Sequence, residues 1–235
     1  MPAFVTEFVN RVHDDDRLTL SEEEWKHYIY GALNGLDEAH SRGIMHRDIK
    51  PENIGFDRIT RTTKLLDWGL SRFYHAYQEY HPNVGSRYYN APEVLAEVER
   101  YHYSQDVWAV GVILASFVFQ KKVFIRGEDD DHQLEMISRI LGTADLEAYA
   151  LKYGAKVYRK GFYMMPRVPL SSFISPKNEK YATDDALDLL DRILVYDHME
   201  RITASEAMQH PYFDSIMEWV DTSDNNAYYE ELHEL

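Results

Sequence analysis

Three short segments, in one order, constrain this chain more than any other feature of its sequence. They are His46-Arg47-Asp48-Ile49-Lys50-Pro51-Glu52-Asn53, then Leu66-Asp67-Trp68-Gly69, then Ala91-Pro92-Glu93. Each one alone is a weak signal, because short motifs also occur by chance in unrelated proteins. All three in this order, with loop-sized gaps between them, are hard to explain by chance. They therefore form a single signature.

Together the segments have the form of the protein-kinase signature set: a catalytic loop, a magnesium-binding Asp-x-Gly and the end of an activation segment. Phosphoryl transfer requires the protein to position the nucleophile and to neutralise phosphate charge. On this pattern Asp48 would orient the substrate hydroxyl and accept its proton, while Lys50 would reach the transferred phosphate. Asn53 and Asp67 would hold Mg²⁺ on the ATP phosphates, because this ion prefers hard oxygen ligands. The alternative is that Asp48, Asn53 and Asp67 are ordinary turn residues.

Five further residues are candidates for supporting roles. His46 is expected to be a packed, hydrogen-bonded residue, and Arg47 would pair with a phosphate or carboxylate of the activation segment or else stay solvated. Glu93 and Arg201 are a pair of the kind that forms a buried ion pair between that segment and the lower helices. Asp106, at the start of an apolar helix, would hydrogen-bond the catalytic-loop backbone.

Composition excludes several classes of protein. The net charge of −15 argues against binding to nucleic acid or to an anionic membrane, since both need basic surface. The absence of cysteine rules out disulfides, thiol catalysis and Cys-based metal sites, and the histidine spacings do not favour zinc. The longest apolar run, Val107 to Phe119, is shorter than the roughly 20 residues of a membrane span. With no signal pattern at the amino terminus, we expect the cytoplasm or the nucleus.

Hydrophobic spacing predicts mainly helical structure. Ser21-Glu22-Glu23-Glu24 has the form of a capping box that starts a core helix. The apolar stripe of that helix is Trp25, Tyr28, Ile29, Ala32, Leu33, Leu36, Ala39 and His40. Ile54–Asp57 and Thr63–Leu66 are predicted to form a hairpin.

From Ser104 onward the chain is predicted to be mostly helical. The Val107–Phe119 run suits a buried helix, and Asp184–Leu194 suits an amphipathic one with Leu187 among its inward residues. A further stripe consists of Gln133, Met136, Ile137, Ile140 and Leu141, and Thr203-x-x-Glu206 caps another helix that Pro211 ends. Residues 154–180 show no period and are expected to be irregular. The predicted class is mainly α (α+β), a helical domain with a small hairpin at its functional edge.

At these residues the chain resembles the catalytic alpha subunit family of casein kinase II. Trp68 stands where most kinases carry Phe, and the resemblance extends to Phe73-Tyr74-His75, Gln78-Glu79-Tyr80, Tyr196-Asp197-His198 and His210-Pro211-Tyr212-Phe213. It implies a serine/threonine kinase with a protein-kinase-like fold, ATP (or GTP) and Mg²⁺ as cofactors, and protein substrates. A regulatory subunit would bind an upper lobe, if one exists.

The resemblance also covers the start of the chain. Residues 2–10 resemble the last strand of the upper lobe and the hinge, so Glu7 and Val9 would bind adenine through their backbone, Thr6 would be the gatekeeper and Asn10 would lie near the ribose. The implied division is a remnant of the upper lobe and hinge at 1–12, a kinase lower lobe at 13–220 and an acidic tail at 221–235.

By the same resemblance, most of the upper lobe is missing from this chain. No Gly-rich phosphate loop and no Val-Ala-Ile-Lys-type lysine precedes His46. We therefore expect a truncated chain, or one that starts at an internal Met, with little or no activity alone. Two alternatives remain open: a non-catalytic kinase lobe that binds partner proteins, and a kinase completed by another chain.

Substrate preference is the last expectation. The family favours acidic substrates through basic residues around the activation segment. Arg87 remains here as a substrate-binding candidate, but Asn83 and Asn90 stand where the family carries basic residues. We expect a weaker preference for acidic sequences, because each lost cation removes an attraction to substrate carboxylates.

Overall fold

The structure is a computed structural model that describes residues 17–82, 85–157, 164–217 and 220. The strand predicted within residues 2–10 and the predicted tail 221–235 lie outside the described residues. The helices are α1 (Glu22–Ser41), α2 (Pro92–Leu95), α3 (Ser104–Val118), α4 (Asp130–Leu141), α5 (Thr143–Tyr153), α6 (Asp184–Ile193) and α7 (Ala204–Met208). The strands are β1 (Ile44–Met45), β2 (Ile54–Asp57), β3 (Thr62–Leu65) and β4 (Arg72–Phe73).

Helix α1 begins as its sequence predicts. The Glu24 backbone N–H donates to Ser21 Oγ at 3.2 Å, and the Ser21 N–H donates to Glu24 Oε2 at 2.7 Å, which completes the capping box. Three acidic residues in the first turn also suit the positive end of the helix dipole. The predicted stripe from Trp25 to Ala39 is buried, whereas His40 is half-buried and bonds a carboxylate instead.

Helix α3 lies at the centre of the core. All fifteen of its residues are buried, which confirms the interpretation of the long apolar run as a buried helix. Helix α1 packs on one side, where the Trp25 and Phe117 rings stack with centroids 4.5 Å apart. Helix α6 packs on another, where the glycine at position 111 lets Ile193 approach the α3 backbone.

This contact predicts the effect of Gly111→Ala. A Cβ at position 111 would lie 2.3 Å from Ile193 Cγ2, and the buried, branched side chain of Ile193 has no room to retreat. We expect a loss of about 1–3 kcal/mol in unfolding free energy from overpacking, despite the better helix propensity of Ala. Gly35→Ala in α1 is the matched control, because its Cβ would meet the half-buried Leu65 side chain at 3.2 Å. Urea denaturation should show the loss in the first variant alone.

Two antiparallel strand pairs complete the fold. Strands β2 and β3 form the predicted hairpin, with Ile54 opposite Leu65, although β3 begins and ends one residue earlier than predicted. Strands β1 and β4 pair Ile44 with Phe73, and the sequence did not reveal them because each has only two residues. The result is the mainly helical architecture with small sheets that was predicted. No helix of the described residues is long and apolar enough to cross a membrane.

Two details of the helical half differ from prediction. In α6 the inward positions are Ala186, Leu189, Leu190 and Ile193, while Leu187 is only half-buried. Helix α5 was not delineated from the sequence. It follows α4 after a single residue, Gly142, whose φ of 86° turns the chain between the two helices.

Candidate active site

The loop after β1 is held by one buried carboxylate at the start of α3. Asp106 Oδ2 accepts the backbone N–H of His46 and Oδ1 accepts that of Arg47, both at 2.8 Å, and His40 Nε2 lies 3.0 Å from Oδ2. Burial alone would raise the pKa of Asp106, but the His40 contact and the backbone hydrogen bonds hold it below its ordinary value. An ionised Asp106 therefore anchors this loop to the core.

His46 joins the first two sequence segments. Its Nε2 lies 3.0 Å from the Leu66 carbonyl, which can only accept, and its Nδ1 accepts the Asp48 N–H at 3.3 Å. These partners require the neutral tautomer with the proton on Nε2. The His46 ring also packs against Trp68, with ring centroids 4.5 Å apart. The two nitrogens of His46 are thus used for hydrogen bonds, and its ring is used for packing.

Asp48 is the centre of a network of side chains. Its Oδ2 accepts from Lys50 Nζ at 2.8 Å and from Asn53 Nδ2 at 3.0 Å. Its Oδ1 accepts from Ser86 Oγ at 3.0 Å, and Lys50 Nζ also donates to that hydroxyl at 3.2 Å. The structure thus brings together three candidate residues and adds Ser86, which comes from a distant part of the chain.

Asn53 and Asp67 offer oxygen atoms that fit Mg²⁺. Asn53 Nδ2 donates to the Asp48 carbonyl at 2.8 Å as well as to its carboxylate, so the amide oxygen is left to bind a cation. Asp67 is exposed, with a φ of 59°, and follows Leu66, whose N–H donates to the Asn53 carbonyl at 2.8 Å. Among the described residues no cluster of three His, Cys, Asp or Glu side chains could hold a metal. Mg²⁺ here would therefore also need phosphate oxygens.

Arg47 has partners that the sequence did not suggest. It is buried, with a φ of 69°, and it donates through Nε to the Leu70 carbonyl at 2.7 Å and through Nη1 to Tyr101 Oη at 3.0 Å. Tyr101 Oη in turn donates to the His81 carbonyl at 3.0 Å. Among the described residues Arg47 forms no ion pair with a carboxylate, and it is buried instead of solvated, whereas its pairing with a phosphate stays a prediction. Arg47 connects the loop to Leu70, which precedes β4, and to Tyr101, which follows it.

A comparison with protein families accounts for this arrangement. The family model described as "Protein kinase domain" matches residues 3–213, which is most of the chain. The chain belongs to the protein kinase family. The match includes Glu7, Val9 and Asn10, the candidates for adenine and ribose contacts, but these lie outside the residues that the structure describes.

In this kinase chain Glu93 and Arg201 form a buried ion pair across 108 positions of sequence. Arg201 Nη1 and Nη2 lie 2.6 Å and 3.0 Å from the two Glu93 oxygens, and both side chains are fully buried. Burial would raise the pKa of Glu93, but the attraction of Arg201 holds it below its ordinary value. The pair joins helix α2, which contains Glu93 of the third signature segment, to the turn before α7.

Two histidines next to this pair predict acid sensitivity. The His102 and His198 rings lie 5.3 Å apart. Burial lowers the pKa of His102 to about 4 and also lowers the pKa of His198. Between about pH 6.5 and about pH 4 the unfolded state therefore binds more protons than the folded state. The free energy of unfolding falls as the pH falls through that window. Each group contributes a slope of at most about 1.4 kcal/mol per pH unit.

The measurement is urea denaturation at about pH 7.5 and about pH 5. His102→Asn keeps an acceptor for the Ser104 N–H, which His102 Nδ1 now accepts at 3.2 Å, but removes one titrating group. We expect a shallower pH dependence for this variant. An identical slope in the variant and the parent protein would contradict the assignment.

A cleft of about 1030 Å³ lies beside the Asp48 network. Lys50, Asn53, Ser86 and Arg87 line it together with residues of the segment between α3 and α4. Arg87 Nε lies 3.2 Å from Asp130 Oδ1, and its Nη1 donates to the Glu128 carbonyl. Arg87 thus lines the cleft, and its role in substrate binding stays a prediction. Ser86 had no signal in the sequence beyond its place near the third segment.

Proposed function

We propose that this chain is a serine/threonine protein kinase of the casein kinase II alpha type, which transfers the γ-phosphate of ATP to a protein hydroxyl. The Asp48 network is the observation that carries the proposal. A carboxylate oriented by Lys50, Asn53 and Ser86 at the edge of an open cleft is suited to receive a proton from a hydroxyl group.

The hydrogen bond from Ser86 supports this role for Asp48. A hydroxyl 3.0 Å from Oδ1 lies within the roughly 2.6–3.2 Å that a general base needs. A substrate Ser or Thr in the cleft would donate its proton to Asp48 as its oxygen bonds to the phosphorus and the bond to ADP breaks. Lys50, which bonds both Asp48 and Ser86, would place its charge beside the transferred phosphate.

Asn53 and Asp67 would hold Mg²⁺ in this proposal. When bound, the ion neutralises charge on the phosphate oxygens. Asn53 has its amide nitrogen engaged with Asp48, which fixes the orientation of the amide oxygen. The same hydrogen bonds make Asn53 a positioning residue for Asp48.

We expect transfer by this chain alone to be slow. The residues before His46 contain neither a Gly-rich loop nor a Val-Ala-Ile-Lys-type lysine. Each preorganised charge contact of that kind contributes on the order of 10²–10³ in rate.

A non-catalytic lobe that binds partner proteins is the second candidate. The observation in its favour is a group of exposed apolar side chains near Asp67: Trp68 is 39% exposed, Leu70 38% and Phe73 64%. Exposed apolar side chains that lie close together are a common feature of protein interaction sites. Asp48, Asn53 and Asp67 favour the kinase, because a binding protein has no chemical need for all three.

The deciding experiment incubates the purified chain with Mg²⁺ and radiolabelled ATP on a mixed protein substrate. The proposal predicts slow labelling that EDTA abolishes, with the label on Ser and Thr. Label on Tyr would contradict the serine/threonine assignment. No label above the enzyme-free control would favour the binding lobe.

A further inference from the structure

Met199 has an exposed thioether whose sulfur contacts a ring nitrogen. The residue is 62% exposed and lies in the turn between α6 and α7. Its Sδ lies 3.1 Å from Nε2 of His102, a residue 97 positions away in the link between α2 and α3. This contact is separate from the Asp48 network and from the residues that line the cleft beside it.

The hydrogen bonds of His102 determine where its proton lies. The Nδ1 atom accepts the Ser104 N–H at 3.2 Å, so it carries a lone pair and no proton. A neutral imidazole in this state has its proton on Nε2, which therefore donates to the Met199 sulfur, a weak acceptor. Because Nε2 then has no free lone pair, the two side chains cannot bind a metal ion together.

The donor of this hydrogen bond is held more firmly than the acceptor. The His102 ring packs against the ring of the buried His198, with centroids 5.3 Å apart. Arg201, two residues after Met199, donates through Nη1 to the Ser104 carbonyl at 2.9 Å. The turn that carries Met199 is thus bonded to the link between α2 and α3 at two points. His102 therefore stays in place beside a thioether that solvent can reach.

The His102 contact makes the two sides of the sulfur different. A thioether sulfur has two lone pairs, one on each side of its C–S–C plane. The His102 N–H occupies one side, and the exposure of Met199 leaves the other side to solvent. We propose that Met199 is a site of reversible oxidation by peroxides that yields mainly one of the two sulfoxide epimers. The inference goes beyond the proposed function and does not depend on it.

The reaction transfers one oxygen atom from the peroxide to the sulfur. The lone pair on the solvent side attacks the peroxide, an S–O bond forms as the O–O bond breaks, and hydrogen peroxide leaves as water. Sulfur is oxidised by two electrons and the peroxide is reduced by two. The new oxygen faces solvent, so His102 does not have to move. Each class of methionine sulfoxide reductase reduces one epimer, so a single class would restore most of Met199.

The test measures the two epimers at Met199 after brief treatment of the folded protein with hydrogen peroxide. Trypsin then releases residues 193–201 as a peptide whose only methionine is Met199. Each reductase is applied separately to this peptide, and mass spectrometry gives the fraction of sulfoxide that each one removes. We expect one epimer in about threefold excess or more, because a hydrogen bond of ordinary net strength favours the bonded conformer by about that factor.

Met164 is the internal control in the same sample. It is 94% exposed, and its sulfur has no hydrogen-bond donor among the described residues. Its two epimers should form in equal amounts. Oxidation in concentrated urea should also give equal epimers at Met199, because the contact exists only in the folded chain. His102→Ala should give the same result in the folded protein, since it removes the donor.

Each outcome decides the proposal. An excess in the folded parent protein that urea and His102→Ala both remove would support it. Equal epimers at Met199 in the folded parent protein would overturn it, and so would a Met199 that stays reduced while Met164 is oxidised. An excess that persists in folded His102→Ala would show that His102 does not direct the oxidation. The urea control needs no folded variant, so it decides the question even if His102→Ala does not fold.

Discussion

Asp48→Asn is expected to lower the rate of phosphate transfer by about 10²–10⁴-fold, because a positioned general base contributes that much. The substitution keeps the size of the side chain but removes its ability to accept a proton. One of its atoms becomes an amide nitrogen that must face Lys50, Asn53 or Ser86, all of which donate to position 48. The rate constant for labelling, measured under conditions in which both proteins are folded, gives the result directly.

The control for this variant is Asp214→Asn, which removes the same charge at an exposed position. We expect no change in its rate. Because Asp48 is buried, Asp48→Asn should also lose about 1–3 kcal/mol of stability through unsatisfied donors, and thermal unfolding must be recorded beside the assay. Parent-like transfer by folded Asp48→Asn would remove Asp48 from the mechanism.

Arg201→Ala is expected to lose about 3–5 kcal/mol of unfolding free energy, a large part of the roughly 5–15 kcal/mol of a typical domain. The variant leaves Glu93 buried without its partner, so that Glu93 must either keep an uncompensated charge or take up a proton. It also removes the donors to the Ser104 carbonyl at 2.9 Å and the Val195 carbonyl at 2.8 Å. Urea denaturation monitored by circular dichroism measures the loss.

Arg192→Ala is the matched control, because Arg192 pairs with Asp188 at 2.9 Å on the exposed face of α6. An exposed pair contributes about 0–1 kcal/mol, so the two arginine variants should differ by several kcal/mol. Glu93→Leu/Arg201→Met should lose less than Arg201→Ala, since no charge is left buried. Equal losses of unfolding free energy for Arg201→Ala and Arg192→Ala would show that the buried ion pair stabilises the protein no more than the exposed one.

Local structure was predictable from sequence where one stretch of chain contains the cause. Ser21 and Glu24 form the capping box through atoms three residues apart, and Thr203 and Glu206 do the same before α7. The apolar run of α3 predicts a helix buried on all sides, since no face of it could stay in water. The β2–β3 hairpin likewise joins neighbouring strands.

Part of the candidate site was predictable for the same reason. Asp48, Lys50 and Asn53 lie within six residues, so their spacing brings them together in one loop. The strands β1 and β4 escaped prediction because two residues show no alternation, and Leu187 was placed inward because helical period alone does not say which neighbours cover a face.

By itself, the sequence determined the family signature, the mainly helical class and the candidate residues Asp48, Lys50 and Asn53 of one loop. Only the tertiary structure decided which distant groups hold that loop. Asp106 binds His46 from 60 positions away, Ser86 binds Asp48 from 38 positions away, and Tyr101 binds Arg47 from 54 positions away. It also decided that Met199 contacts His102, 97 positions away. The physical reason is that propensity and periodicity act over a few residues, whereas these contacts join residues that are tens of positions apart in the sequence.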